Sequence, residues 1–177
     1  MQRPHKYARI ERERRFLLDR FPMADVVRIR HITDRYINGT LLRLREQADD
    51  GSPAIFKLTQ KIPARASGAQ QGLITNIYLT EDEFRLLAQL PAKMVSKVRY
   101  SAPPFGIDVF EGALQGLVLA EAEFNSAAEA DALIVPDFIL DEVTDDERFT
   151  GGQLVCASRP NVEKWLAEYE ITLSDFH

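Results

Sequence analysis

From Ala8 to Leu18 the chain alternates two sets of side chains. Glu11, Glu13 and Arg15 fall on one face of an extended strand. Ile10, Arg12, Arg14 and Phe16 fall on the other, because successive strand side chains point to opposite sides. The same period of two returns over Val26–Arg35, with Val27 and Ile29 against Arg28 and Arg30, and over Leu41–Gln47, with Leu42 and Leu44 against Arg43 and Arg45. It continues over Ala54–Lys61 (Phe56 and Leu58 against Lys57, Thr59 and Lys61), Met94–Ser101 (Val98 and Tyr100 against Lys97 and Arg99) and Gly116–Phe124 (Ala122 and Phe124 against Glu121 and Glu123). Leu73–Leu79 and Ile107–Glu111 read as further strands. Asn38-Gly39, Ala48–Pro53 and Ser101–Gly106 are turn signals, Asp19–Asp25 with Pro22 is a break, and Pro63–Gly72 reads as a mobile loop. Thr80–Leu90 reads as a helix with a Thr80/Glu83 capping box and an apolar stripe at Phe84, Leu87 and Ala88. Ser126–Leu133 carries a second cap (Ser126/Glu129), Thr144–Glu147 a third, and Pro160–Tyr169 an amphipathic helix with proline at its start. Many strands and few helices predict an α+β chain whose large antiparallel sheet closes into a barrel, since about eight strands tend to curl or close.

Periodicity reports that the two faces of each strand differ, not which one is inside. An apolar interior with charges in solvent is the common arrangement. The inverse, with charges lining a tunnel, fits the same pattern. The signs lean toward the inverse, because acids sit on the first and a late strand while the pairs between them are basic. Opposed acids beside many cations suit a divalent metal and a polyanion. No Gly-x-x-x-x-Gly-Lys or Gly-x-Gly-x-x-Gly loop is present, so side chains would have to hold a phosphate chain, which arginines do through bidentate, charge-assisted hydrogen bonds.

Composition narrows the classes without choosing among them. The chain has 177 residues, a net charge of −5, 45% apolar and 28% charged residues, which predicts one soluble domain. The acidic balance argues against nucleic acid as a partner. The lone Cys156 leaves no internal disulfide and fits a reducing compartment, and neither a membrane span of ~18 apolar residues nor a signal peptide is evident, so the cytoplasm is the expected location. His31 reads as structural or surface, His5 and His177 as solvated, Trp165 as helix packing, and Cys156 as no nucleophile for want of a histidine partner.

The order of the motifs resembles the CYTH domain of the triphosphate tunnel metalloenzyme superfamily. The residues that carry the resemblance are Glu11-x-Glu13-x-Arg15, Arg43-Leu-Arg45, the stretch ending at Lys61, Lys97-Val-Arg99-Tyr100, Ile107-Asp108-Val-Phe-Glu-Gly112, Glu121-Ala-Glu123-Phe124 and Glu142 to Phe149. The resemblance implies a closed eight-stranded antiparallel barrel with a charged interior, open at both ends, with a few flanking helices. Its tunnel would occupy residues 7–152 of a single domain, with 153–177 a helical C-terminal segment. It implies a hydrolase of triphosphates, inorganic tripolyphosphate first, with Mg²⁺ or Mn²⁺. The metal would fall to Glu11, Glu13 and Glu123, with Glu121 and Asp108 beside them; Asp108 could equally hold a basic neighbour. The phosphates would fall to Arg43, Arg45, Lys57, Lys61, Lys97, Arg99 and Arg148, with Glu13 and Arg15 at the chemistry.

Two departures from the family pattern bear on catalysis. Arg15 stands where the family has lysine and cannot exchange a proton near neutrality. Ile74 and Asn76 stand where many relatives have glutamates. A non-catalytic polyphosphate or nucleoside-triphosphate binding module is therefore the alternative, followed by an adenylyl cyclase. In a barrel with charges inside, Val27 and Leu44 would be exposed on the outer face, which allows a homodimer.

Overall fold

The computed structural model describes residues 6–18, 21, 25–64 and 67–173. His5, His177 and Pro22 lie outside them. Nine strands form one sheet: β1 (Arg9–Leu18), β2 (Arg28–Ile37), β3 (Leu42–Asp49), β4 (Ile55–Pro63), β5 (Gln70–Leu79), β6 (Ala92–Ala102), β7 (Phe105–Phe110), β8 (Val118–Glu123) and β9 (Ile139–Glu142). Their order is β5-β4-β3-β2-β6-β7-β8-β1-β9, and β5 also pairs with β1, so the first eight close into an antiparallel barrel. The strand β1 makes the closure possible. Its first half, Arg9–Arg12, pairs with β5, and its second half pairs on one edge with β8 and on the other with the short β9.

Local chemistry explains the connections. β2 and β3 are joined through Asn38-Gly39, with Gly39 at φ +72°, as the dipeptide demands. Pro63–Gly72 is not one long loop: Pro63 ends β4 and Gln70–Gly72 opens β5, paired to β4 and β1. Gly72 has φ +144°, and a Cβ there would lie 2.1 Å from the Ile62 carbonyl oxygen, so only glycine allows that approach.

The helices are α1 (Glu81–Leu87), α2 (Ala127–Asp131), α3 (Gly151–Leu154) and α4 (Arg159–Ala167). None is long and apolar enough to cross a membrane. Thr80 and Glu83 form the expected capping box. Ser126 caps α2, but Glu129 reaches back to the Asn125 amide instead of completing a box. The Thr144/Glu147 cap does not form. Asp146 caps a 3₁₀ turn at Glu147–Phe149, and Thr144 Oγ1 instead accepts the Arg15 amide at 3.0 Å, tying β1 to the C-terminal segment.

Apolar side chains form two cores. One lies on the outer face of β1, β7 and β8, where Phe16, Phe105, Ile107, Ala120 and Ala122 pack with Leu133, Phe138 and Ile139. The other seals one end of the barrel. There Leu17, Val95, Phe110 and Leu119 meet Phe149, Leu154, Val162 and Leu166 of the C-terminal segment. The expected opening at both ends is therefore corrected, because four strands place an apolar inner residue at this level, Leu17, Val95, Phe110 and Leu119, and the chain itself covers them. α3 sits close over that end, and a Cβ on Gly151 would lie 2.1 Å from the Tyr36 hydroxyl. Leu44 is also corrected. It is fully buried on the outer face against which α1 packs, where Phe84 lies 4.6 Å from Phe56 and Arg35 donates to the Ala88 carbonyl. Val27 is exposed as expected.

Candidate functional site

Directly opposed residues in an antiparallel ladder share a face, so one face can be followed around the barrel. From Glu13, Arg15 and Leu17 on β1 it passes to Glu123, Glu121 and Leu119 on β8, then to Gly106, Asp108 and Phe110 on β7. It continues through Val95, Lys97 and Arg99 on β6, and Arg30, Ile32, Asp34 and Tyr36 on β2. Arg43, Arg45, Gln47 and Asp49 on β3 and Lys57, Thr59 and Lys61 on β4 follow. Ile74, Asn76 and Tyr78 on β5 lead back to β1 at Arg9 and Glu11. Two ion pairs reach over an intervening strand, Arg99 on β6 to Glu121 on β8 and Lys61 on β4 to Glu11 on β1. Such chords require the concave side, so the charged face is the inside.

The interior has two walls of different sign. On β2, β3 and β4 the cations Arg28, Arg30, Arg43, Arg45 and Lys57 outnumber Asp34 and Asp49. Asp34 is 1% exposed. It takes both nitrogens of a bidentate Arg45 contact, at 2.6 and 2.7 Å, with Arg43 at 3.5 Å. Burial pushes its carboxyl up, but Arg43 and Arg45 outweigh burial and hold it well below the usual carboxylate range. Lys57 makes no ion pair among the described residues. Burial, then Arg45 and Arg43, push its ammonium down to about 8.

On β1, β8 and β7 the carboxylates gather. Four are engaged by a cation of the chain: Glu11 by Lys61 at 2.7 Å, Glu13 by Arg15, Glu121 by Arg99, and Asp108 by Arg99 at 2.6 Å from two nitrogens and by Lys97. Gly106 makes room for this network, since a Cβ there would lie 3.3 Å from Arg99 Cδ. Burial pushes Glu13 up, reinforced by Glu121 and by Glu11. Glu121 is the member that keeps its charge: burial would raise it, but Arg99, Lys97 and Arg15 hold it well below its ordinary value. Arg15 Nε and Nη1 and the Nε atoms of Arg30 and Arg43 are buried without hydrogen-bond acceptors. Such donors are costly to leave unmade and are suited to an anion.

All but one of the sequence-predicted site residues face the interior. Glu123 does so at the exposed rim, opposite Glu13. Asp108 is fully buried, with both oxygens taken by Lys97 and Arg99, which is the role of holding its basic neighbours. Arg148 is the exception. It lies beside Phe149 of the end plug, held by Asp146 and Glu168 over the Trp165 ring, and among the described residues it pairs with none of the barrel's interior charges. Ile74 and Asn76 face inward, so β5 brings no carboxylate; Asn76 instead accepts from Thr59 at 2.7 Å. Asp34, Tyr36, Gln47 and Asp49 were not anticipated. The period Arg28, Arg30, Ile32, Asp34, Tyr36 carried the signal for two of them.

The donor chemistry fits a divalent cation. Carboxylate oxygens are what hard ions take, and the mutual repulsion of Glu11, Glu13 and Glu121 is what such an ion would relieve. Among the described residues no three carboxylates converge on one point, since Lys61, Arg15 and Arg99 each hold one.

The chain is thus a closed antiparallel barrel with an inward-facing basic wall opposite a carboxylate wall. No family model matches the chain. The chain is 32% identical over 148 residues to an inorganic triphosphatase of Nitrosomonas europaea, covering 78% of this chain and 92% of that protein. It superposes on the crystal structure of the inorganic triphosphatase NE1496 with a TM-score of 0.55 at 28% identity, over 83% of this chain and 95% of the other. A second structure of NE1496 gives 0.56 at 28% identity, over 84% and 99%. The chain belongs to the CYTH, or triphosphate tunnel, family.

Proposed function

We propose that the charged half of the barrel binds a triphosphate with Mg²⁺ or Mn²⁺ and hydrolyses its terminal phosphoanhydride bond, inorganic tripolyphosphate being the substrate. The observation that carries this is the pairing of unsatisfied buried guanidinium groups on one wall with a cluster of carboxylates on the other. The likeness to an inorganic triphosphatase supports the choice of substrate. Phosphoryl transfer needs positioning and charge neutralisation more than covalent help. Arg43, Arg45, Lys57, Lys61, Lys97 and Arg99 would grip the phosphate oxygens. Asp34 and Asp108, sunk beneath them, fix the direction of the arginine forks and leave Lys57 as an uncommitted positive charge.

Glu11, Glu13 and Glu123 would hold the cation, with Glu121 adjoining. A bound divalent ion there supplies charge neutralisation at the terminal phosphoryl group. Glu13 faces the interior beside Arg15 and Glu121, where it would orient a water and take its proton. The water oxygen attacks the terminal phosphorus, the bridging P–O bond breaks, and its electron pair leaves with the diphosphate. Arg15 stays protonated and acts by charge and placement.

Arg15, and a β5 that offers Ile74 and Asn76, favour one second reading: a module that binds triphosphate without turnover. A panel of tripolyphosphate and ATP with Mg²⁺ and Mn²⁺ separates the two. Hydrolysis predicts phosphate release, fastest from tripolyphosphate. Tight binding of tripolyphosphate by calorimetry with no phosphate released would establish the binding module instead.

A further inference from the structure

Arg15 touches both sides of the acidic wall. Its guanidinium hydrogen-bonds to Glu13, and its Nε lies 3.6 Å from Glu121 Oε1. The residue is 3% exposed, yet Nε and Nη1 lack an acceptor. Phosphoryl oxygens match that planar fork. The Glu13 and Glu121 oxygens that Arg15 engages are also the ones a divalent cation needs, and they cannot serve both fully at once.

We propose that Arg15 couples the two ligands: it holds Glu13 and lies against Glu121 Oε1 until a phosphoryl group takes its guanidinium, and the Glu13 carboxylate and Glu121 Oε1 then become free to face a divalent cation, Arg99 keeping Glu121 Oε2. This rests on the triphosphate reading of the interior. By linkage the coupling is reciprocal, so triphosphate and cation each raise the affinity for the other. The fork, not the charge, carries the effect. A lysine ammonium is a compact point charge with no second arm to span the two carboxylates. Arg15→Lys therefore keeps the charge and loses the clamp.

The test is a Mn²⁺ titration without phosphate, followed by loss of the free-ion paramagnetic resonance signal, on wild type and Arg15→Lys. A tripolyphosphate titration without metal, by calorimetry, accompanies it. The variant should bind Mn²⁺ alone about tenfold more tightly and tripolyphosphate alone several-fold more weakly. Unchanged or weaker Mn²⁺ binding by the variant overturns the coupling. Should the variant not fold, the wild-type Arg15 Nε–H proton resonance decides. It should shift on adding tripolyphosphate without metal, and an unmoved signal while other interior arginines shift overturns the proposal. Failure of the underlying reading is distinguishable: wild type would then neither bind tripolyphosphate nor release phosphate from it. Binding and hydrolysis with Mn²⁺ affinity unchanged by Arg15→Lys would sink the coupling alone.

Discussion

The two halves of the barrel interior are built from the same strands and differ in everything else. Along the inner face of β1 the order is Glu11, Glu13, Arg15, Leu17. On β8 it is Glu123, Glu121, Leu119; on β7, Asp108 then Phe110; on β6, Arg99, Lys97, Val95. At one level all four strands change from charge to hydrocarbon. Beyond it Phe149, Leu154, Val162 and Leu166 fill the space as an ordinary core. Before it the buried groups are ions held by other ions. A barrel of side chains paired only with each other is a weak source of stability, because desolvation consumes much of the Coulombic gain. The plugged half can stabilise the fold while the charged half carries the exchangeable contacts that a polyanion needs.

This division can be broken from either side. The largest effect should follow loss of Asp34, which strands Arg43 and Arg45 in a buried site. Asp34→Ala should cost about 3–5 kcal/mol in urea unfolding. The sign with pH is fixed: the native carboxyl is held below its unfolded value, so its contribution is present at neutrality and fades as pH falls below about 4. The gap between wild type and variant should shrink with it. Phe149→Ala should cost a similar ~3–5 kcal/mol through the cavity it leaves, but phosphate release per folded molecule should be preserved. A loss of activity at full folding would join the halves that we separate. Gly151→Ala drives a Cβ into the Tyr36 hydroxyl and should destabilise by about 1–3 kcal/mol, read as a lowered melting temperature. The smallest effect concerns Lys57. Its ammonium is pushed down to about 8, so tripolyphosphate affinity should fall a few-fold as pH rises through that value. Lys57→Arg, which stays charged, should flatten the profile between pH 7 and 9.

The charged half was legible in the sequence because a strand period of two survives wherever charges stand at i and i+2. Glu11 and Glu13, Arg43 and Arg45, Lys97 and Arg99, and Glu121 and Glu123 all share the inner face for that reason. Which face is inside was not legible from any one strand; it follows from closure, which the pairing of β1 with both β5 and β8 reveals, together with the ion pairs that reach over an intervening strand. Asp34 was missed because Ile32 interrupts the charge alternation on β2, although the period itself continues to Tyr36. The plug was missed because Leu17, Val95, Phe110 and Leu119 look like strand ends until the C-terminal segment, well downstream of β8, covers them. Arg148 was misplaced for a related reason: its partner Glu168 follows α4 and Trp165 lies within it, and no local pattern announces either. β9, four residues long, carries too few alternations to be read as a strand.

The central claim is that the carboxylate wall of the interior performs hydrolysis on a triphosphate. It is tested most directly by the rate of phosphate release from tripolyphosphate with Mn²⁺, wild type against Glu13→Gln. Gln keeps a side-chain oxygen that can accept from Arg15, and a cooperative melting transition of the variant checks that it is folded. The account predicts release by wild type and a rate at least about 100-fold lower in the folded variant. Equal rates from the two proteins would contradict it.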